Sequence, residues 1–165
     1  MANLISEKLK LENKKLLVGE KAPDFRLTNK DLDDVSLSDF ANKKIKIISC
    51  FPSIDTGVCE AQTKKFNELF SGNSDVVVLN VSADLPFAQG RWCGNSGLDN
   101  VITLSDYKNH SFAKDYGVHI ANFCLIYRSV FVLDENNKIA YVQFAKSITE
   151  PLNFDEIKDF VNTLI

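Results

Sequence analysis

The distribution of apolar residues along this chain of 165 residues predicts a strand, a helix and a second strand in its first half. Residues 45–49 form an isoleucine-rich run. Residues 76–81 are apolar at almost every position, as in a strand that is covered on both faces. Between these runs, apolar residues recur at helical spacing from Thr56 to about Phe70. Two strands joined by a helix of this length predict a parallel βαβ unit with a right-handed crossover.

Shorter elements are predicted on either side of this unit. After it come a helix that begins at Pro86, a turn between Gly94 and Gly97, a strand at 101–104, a helix at 112–116, a hairpin of strands 129–133 and 138–142, and a helix from Phe154 to Leu164. Before it, weaker patterns predict strands at 24–27 and 35–37 around a polar turn, and a hairpin strand within about the first fifteen residues, hence an N-terminal β-hairpin. This order predicts one domain over residues 1–165, with a three-layer α/β fold in which helices flank a central mixed β-sheet.

Composition and charge exclude several classes of function. The chain is 45% hydrophobic and 25% charged, and its net charge of −3 argues against a nucleic-acid-binding protein, which would normally carry a basic surface. No apolar run approaches the roughly 20 residues of a membrane helix. The N-terminus lacks the apolar core of a signal peptide. We therefore expect a cytoplasmic protein with no nucleic-acid or membrane partner.

Four cysteines carry the most distinctive chemistry in the chain, at positions 50, 59, 93 and 124. In a reducing compartment, cysteines are more often catalytic, metal-binding or buried than paired in structural disulfides. The chain has no Cys-x-x-Cys pair and only two histidines, His110 and His119, so no zinc site is expected. We expect both histidines to be exposed, with no role as a base, and Cys50 and Cys124 to be buried and inert.

Cys59 lies where a cysteine becomes reactive. The strand at 45–49 leads into the segment Phe51-Pro52-Ser53-Ile54-Asp55-Thr56-Gly57-Val58-Cys59, so Cys59 falls in the first turn of the helix that follows. A helix N-terminus offers unpaired N–H groups and about half a positive charge, and both stabilise a thiolate, the nucleophilic form of cysteine. Glu60 must then point to solvent, because a carboxylate beside the sulfur disfavours the thiolate. The opposing interpretation of Cys59 is a buried structural cysteine.

Three motifs together give the chain a resemblance to a known family. The pattern Pro52-x-x-x-Thr56-x-x-Cys59 is similar to the active-site pattern of the peroxiredoxins, and the whole segment 51–59 resembles their thiol peroxidase subfamily, the atypical two-cysteine peroxiredoxins. Two further segments resemble the same subfamily, Ser82-Ala83-Asp84-Leu85-Pro86-Phe87-Ala88-Gln89-Gly90-Arg91-Trp92-Cys93-Gly94 and Asn100-Val101-Ile102-Thr103-Leu104-Ser105. The resemblance extends from about Gly19 to the end of the chain and implies a thioredoxin-like fold.

The resemblance also implies an activity and a set of site residues. The family reduces hydroperoxides, usually with thioredoxin as the electron donor and without a cofactor or metal, and it commonly forms homodimers. Cys59 then corresponds to the peroxidatic cysteine and Cys93 to the resolving cysteine, and the two would form an intramolecular redox disulfide. Pro52, Thr56 and Arg128 correspond to the other members of the active site.

Three aromatic residues and the chemistry of disulfides extend these expectations. Phe51, Phe87 and Trp92 are candidates to line an apolar substrate pocket that would suit organic hydroperoxides. A disulfide needs Cα atoms roughly 5.5–6 Å apart, so we expect the segments around Cys59 and Cys93 to rearrange during turnover. Two alternatives stay open, a one-cysteine peroxidase resolved by an external thiol and a redox sensor that passes oxidation to a partner protein.

Overall fold

The computed structural model describes residues 9–98 and 100–165, and a mixed β-sheet of seven strands forms its centre. In spatial order the strands are β10 (Ile139–Phe144), β9 (Ser129–Leu133), β4 (Ile45–Cys50), β5 (Val76–Ser82), β6 (Ile102–Ser105), β2 (Arg26–Asn29) and β3 (Asp34–Ser36). β4 pairs in parallel with β5, and β5 with β6, whereas the other neighbours are antiparallel. The parallel pair β4–β5 confirms the predicted βαβ unit.

Helices cover both faces of this sheet and produce the three predicted layers. They are α1 (Gly57–Phe70), α2 (Pro86–Ser96), α3 (Ser111–Asp115) and α4 (Phe154–Leu164), and a 3-10 turn spans Leu37–Phe40. On one face, Ile47 shares an apolar cluster with Phe66 of α1 and Ile157 of α4. On the other face, Ile48 shares a cluster with Phe112 of α3. Neighbouring residues of one strand are therefore buried on opposite faces, which explains the nearly continuous apolar runs.

The helix that carries Cys93 is longer than the sequence predicts. Pro86 occupies its first position, as predicted, and Leu85 is its N-cap. The helix then continues through Gly94, which the sequence assigns to a turn, and ends at Gly97, whose φ of +70° is a left-handed conformation that favours glycine. Cys93 is therefore held by the body of a helix. Within the described ranges, no helix has the length and apolar character needed to cross a membrane.

The predicted hairpin strand near the N-terminus is present, but its partner is distant in sequence. β1 (Leu11–Glu12) pairs antiparallel with β7 (His119–Ile120), which also pairs with β8 (Leu125–Ile126) in a small second sheet. Residues 1–8 of the predicted segment lie outside the described residues. The local hairpin is formed by β2 and β3 instead. A strand of two residues has no periodic pattern that would identify a distant partner.

Candidate active site

Cys59 is the third residue of α1 and is completely buried. Thr56 is the N-cap of this helix, so Cys59 lies in the first turn, where the N–H groups have no partner within the helix. β4 ends at Cys50, and residues 51–56 carry the chain from the end of that strand into the helix. The predicted position of Cys59, in a first helical turn directly after a buried strand, is confirmed.

Thr56 brings a hydroxyl group to the sulfur. Its Oγ1 lies 2.7 Å from Cys59 Sγ and 3.2 Å from the carbonyl oxygen of Ser53. A hydroxyl has one proton, which it donates to one acceptor at a time, and an anionic acceptor makes the stronger bond. Thr56 therefore favours the thiolate form of Cys59.

Arg128 brings a permanent positive charge to the same sulfur. Its Nη2 donates to Cys59 Sγ at 3.2 Å, and the residue is only 2% exposed. The register of the sheet brings the two residues together. Because Ser129 of β9 pairs with Cys50 of β4, Arg128 lies just beyond the end of β4, beside the loop that leads to Cys59. The guanidinium does not lose its charge in proteins, so it also favours the thiolate.

Two partners that the sequence analysis missed fix the orientation of the guanidinium. Arg128 Nη1 donates to Gln62 Oε1 at 2.8 Å, while Nε and Nη2 donate to the Ile148 carbonyl oxygen at 3.1 and 3.0 Å. Gln62 is 1% exposed, and its Nε2 donates to Ser49 Oγ at 2.7 Å and to the Cys50 carbonyl oxygen at 3.1 Å. A signal for Gln62 was present in the sequence. It lies one helical turn after the cysteine, on a buried face, where a polar side chain must have partners.

The charge next to Cys59 points away from the sulfur. Glu60 forms an i,i+4 ion pair with Lys64, and its side chain is 39% exposed. This agrees with the expected orientation toward solvent. The carboxylate is partly neutralised and partly screened at that position, so it opposes the thiolate only weakly.

Cys50 and Cys124 are in contrasting surroundings. Cys50 is completely buried, and burial raises the pKa of its thiol far above the usual range, with only partial compensation by a hydrogen bond involving Ser129. It is therefore a neutral thiol, which agrees with the predicted inert core cysteine. The prediction that Cys124 is buried is wrong. Cys124 is exposed, in a turn between β7 and β8 where its φ is +51°.

Cys93 lies in the same apolar cluster as Cys59. The buried members of this cluster are Phe51, Ile54, Cys59, Trp92, Cys93 and Val101. Cys93 is 1% exposed, and its Sγ lies 4.0 Å from the Val101 carbonyl oxygen and 3.9 Å from Thr103 Oγ1. Cys59 is not part of a disulfide. The structure therefore brings both cysteines into one cluster while a separate helix holds each of them.

The remaining predicted site residues lie in different surroundings. Pro52 is buried in the loop before α1. Phe51 is completely buried and Trp92 is 8% exposed, whereas Phe87, in the first turn of α2, is 68% exposed. Phe51 and Trp92 thus pack with the cysteines, and Phe87 faces solvent. A substrate pocket lined by these three residues stays a prediction.

The prediction of two exposed histidines is wrong. His119 is 5% exposed, His110 is half-buried, and their rings stack with 5.5 Å between the centroids. The cause is the pairing of β1 with β7, which brings Glu12 opposite His119 and places its Oε2 3.5 Å from His119 Nδ1. Among the residues that the structure describes, no group of three His, Cys, Asp or Glu side chains is arranged to hold a metal ion.

Comparison with known proteins gives consistent matches over most of the chain. The model of the Redoxin family matches residues 17–162. The chain is 50% identical over 155 residues to the thiol peroxidase of Streptococcus pneumoniae (strain ATCC BAA-255 / R6), covering 94% of each chain. It is 54% identical over 137 residues to the thiol peroxidase of Staphylococcus haemolyticus (strain JCSC1435), covering 83% of this chain and 82% of that protein. A crystal structure of a peroxiredoxin-like protein from Aquifex aeolicus superposes with a TM-score of 0.86 at 40% identity, covering 95% of this chain and 92% of the other.

Proposed function

This chain belongs to the Redoxin family and is a peroxiredoxin-type thiol peroxidase, and from this premise we propose that it reduces hydrogen peroxide and organic hydroperoxides through Cys59, Cys93 and thioredoxin. One observation carries the proposal. A single buried sulfur in the first turn of a helix has a hydroxyl at 2.7 Å and a guanidinium nitrogen at 3.2 Å. Both groups stabilise an anion, and a thiolate is the species that attacks a peroxide.

In the first step, the Cys59 thiolate attacks one oxygen of the peroxide. A sulfur–oxygen bond forms and the O–O bond breaks, so that Cys59 becomes a sulfenic acid and the other oxygen leaves as an alkoxide or hydroxide that takes up a proton. The sulfur loses two electrons and the peroxide gains them. Arg128, Thr56 and the free N–H groups of the first turn stabilise the negative charge as it passes from the sulfur to the leaving oxygen.

In the second step, the Cys93 thiol attacks the sulfenic sulfur. The disulfide forms and a water molecule leaves, carrying the sulfenic oxygen. Each cysteine is held within a helix, so the first turn of α1 and the body of α2 must open locally before the two sulfurs meet. Gly57 and Gly94 lower the barrier to that opening because they lie within these helical segments. A thioredoxin dithiol then reduces the disulfide by exchange and becomes oxidised itself.

Mass spectrometry after one equivalent of hydrogen peroxide tests the proposal. The reduced wild-type protein should give a disulfide between the peptides that carry Cys59 and Cys93, and Cys93→Ser should give a sulfenic acid on Cys59. Thioredoxin-linked turnover should fall sharply in Cys93→Ser. Unchanged turnover in that variant would favour the one-cysteine peroxidase. Slow turnover of the wild type with a trapped mixed disulfide to another protein would favour the redox sensor.

The proposal includes a cytoplasmic homodimer and a single domain over residues 1–165. The resemblance to peroxiredoxins supports the homodimer. Analytical ultracentrifugation at micromolar concentration would test the homodimer, since a monomeric mass would contradict it.

A further inference from the structure

The carboxylate of Asp84 joins the segment that carries Cys59 to the segment that carries Cys93. Its Oδ1 accepts a hydrogen bond from Ser53 Oγ at 2.7 Å, and its Oδ2 accepts from Ile54 N at 2.7 Å and from Ser82 Oγ at 2.6 Å. Asp84 lies between the end of β5 and the start of α2 and is half-buried. Hydrogen bonds to an ionised carboxylate are short and strong, so the contacts with Ser53 and Ile54 hold the loop before α1 firmly.

On the Cys59 side, the bonds of Asp84 lead directly to the residue that contacts the sulfur. The carbonyl oxygen of Ser53 accepts a hydrogen bond from Thr56 N at 3.2 Å and lies 3.2 Å from Thr56 Oγ1. The same Oγ1 lies 2.7 Å from Cys59 Sγ. By fixing Ser53 and Ile54, Asp84 fixes the N-cap of α1 and the hydroxyl that faces the sulfur.

On the Cys93 side, Asp84 is tied to the body of α2. Ser82 Oγ, which donates to Asp84, also accepts from Gln89 Nε2 at 3.0 Å, and Gln89 Nε2 donates to the Leu104 carbonyl oxygen at 3.0 Å. Gln89 is 1% exposed and lies one helical turn before Cys93. The backbone carbonyl of Asp84 accepts a further hydrogen bond from Ser105 Oγ.

We propose that Asp84 is a positioning residue that holds the Cys59 loop and the Cys93 helix together in the arrangement that reacts with peroxide, and that its bonds to Ser53 and Ile54 break before the disulfide forms. This inference rests on the proposed function, because it concerns the step in which Cys93 resolves the sulfenic acid. Asp84 touches neither sulfur. It acts through Thr56 on one side and through Gln89 on the other.

The bonds of Asp84 to Ser53 and Ile54 favour the reaction of Cys59 with peroxide and oppose formation of the disulfide with Cys93. While they are intact, Thr56 is held at the sulfur and peroxide reduction is fast, but Cys59 and Cys93 stay in their separate helices. When they break, both segments open more easily, because one carboxylate holds both. Removing the bonds should therefore slow the reaction with peroxide and accelerate formation of the disulfide. A residue that merely supports the fold would slow both steps or neither when it is replaced.

The test compares three variants of the full chain in rapid-quench reactions with hydrogen peroxide, followed by mass spectrometry. Asp84→Ala should lower the rate constant for oxidation of Cys59 roughly tenfold, because Thr56 is then no longer held in place at the sulfur. The same variant should raise the rate of disulfide formation several-fold. Ser53→Ala removes one of the three bonds and should change both rates in the same directions by less. Asp55→Asn is the control. This variant weakens only the exposed ion pair between Asp55 and Arg91, whose N–O distance is 3.4 Å and which also joins the loop before α1 to α2. The rates of Cys59 oxidation and of disulfide formation should both stay close to wild type.

Sulfinic acid formation on Cys59 gives a second readout. Faster resolution leaves the sulfenic acid less time to meet another peroxide, so Asp84→Ala should accumulate less sulfinic acid than wild type at excess peroxide. If Asp84→Ala fails to fold, Ser53→Ala decides the matter, since it leaves the contacts of α2 intact. Parallel slowing of both steps, or no change, overturns the inference while the proposed function stands. Absence of the Cys59–Cys93 disulfide in the wild type overturns the proposed function itself, before any variant is compared.

Discussion

Gln62 Oε1 accepts a hydrogen bond from Arg128 Nη1 at 2.8 Å, and this contact ties the guanidinium to the helix that carries Cys59. Both side chains are almost completely buried. The amide nitrogen of Gln62 binds the end of β4 through Ser49 Oγ and the Cys50 carbonyl oxygen. One amide thus connects α1, β4 and the cation, so the positive charge and the sulfur that it faces are held by the same helix.

Gln62→Ala should lower the rate constant for oxidation of Cys59 by hydrogen peroxide about tenfold. The substitution leaves a buried guanidinium N–H and the Ser49 hydroxyl without their Gln62 partner. A hydrogen bond to a charged group contributes about 1.5–3 kcal/mol, and the contact between Gln62 and the guanidinium is lost. Arg128 then turns away from the sulfur. Stopped-flow measurement of the peroxide reaction checks this. Glu68→Gln, which affects only an exposed ion pair with Lys65 on the same helix, is the control. A wild-type rate in Gln62→Ala would show that Ile148 alone orients the guanidinium.

Gly117→Ala should destabilise the protein by about 2–3 kcal/mol. The φ of Gly117 is +67°, and a Cβ there would lie 2.5 Å from the carbonyl oxygen of Lys14 and 2.8 Å from Lys15 Cα. The segment that follows β1 must therefore move away or Gly117 must change conformation. Urea unfolding measures the loss. Gly72→Ala is the matched control, because nothing lies within 4 Å of its Cβ position and its φ is outside the left-handed range. Equal losses in the two variants would contradict the close approach of residues 14–15.

Elements with a strong local pattern were predictable from the sequence. The spacing of apolar residues predicts α4 from Phe154 to Leu164, and the helix has those bounds. The predicted hairpin of 129–133 and 138–142 corresponds to β9 and β10, with the second strand at Ile139–Phe144. In these segments each residue interacts mainly with near neighbours in sequence or with one face of the core. Periodicity therefore carries most of the information.

Contacts that depend on distant residues were not predictable in the same way. The pairing of Glu12 with His119 follows from where the chain returns after α3, and no short pattern encodes it. The partners of Gln62 and Asp84 are set by side-chain geometry across several elements. Asp84 lies within the segment 82–94 that carries the resemblance, but only the three-dimensional arrangement links it to Ser53 and Ile54.

Deprotonation of Asp106 should lower the free energy of unfolding as the pH rises from about 4 to about 7. Burial raises its pKa to about 6, although the carboxylate accepts hydrogen bonds from Phe112 N and Ala113 N and lies near His119. In the unfolded chain the group has its ordinary pKa near 3.8. The folded protein therefore binds the proton more tightly than the unfolded chain does. The resulting stabilisation is fully present below the unfolded-state pKa of 3.8 and is lost as the pH rises through the folded-state pKa of about 6.

Comparison with Asp106→Asn isolates that contribution. The free energy of unfolding of the wild type minus that of the variant should fall by up to about 3 kcal/mol between about pH 4 and about pH 7. Urea unfolding at a series of pH values measures the difference. His110, whose pKa is lowered by burial, is present in both proteins and cancels to first order. A difference that does not change with pH would mean that the carboxylate is better hydrated than its burial indicates.

Arg128→Lys should slow the oxidation of Cys59 even though it preserves the charge. The guanidinium donates at once to the Cys59 sulfur, to Gln62 Oε1 and to the Ile148 carbonyl oxygen, and its planar shape fixes these directions. An ammonium group is a point charge on a flexible stem and does not reproduce that fork. Loss of one charge-assisted bond to the developing charge corresponds to a rate constant about 10- to 100-fold lower.

Two further variants separate the charge of Arg128 from its geometry. Arg128→Met removes both, so its rate constant for hydrogen peroxide should lie below that of Arg128→Lys at the same pH. Arg91→Lys changes an exposed arginine whose ion pair with Asp55 lies at the surface, and its rate should match wild type. If Arg128→Lys retains the wild-type rate, then positive charge alone activates the sulfur. The hydrogen bonds to Gln62 and Ile148 would then serve the packing of the loop rather than the reaction.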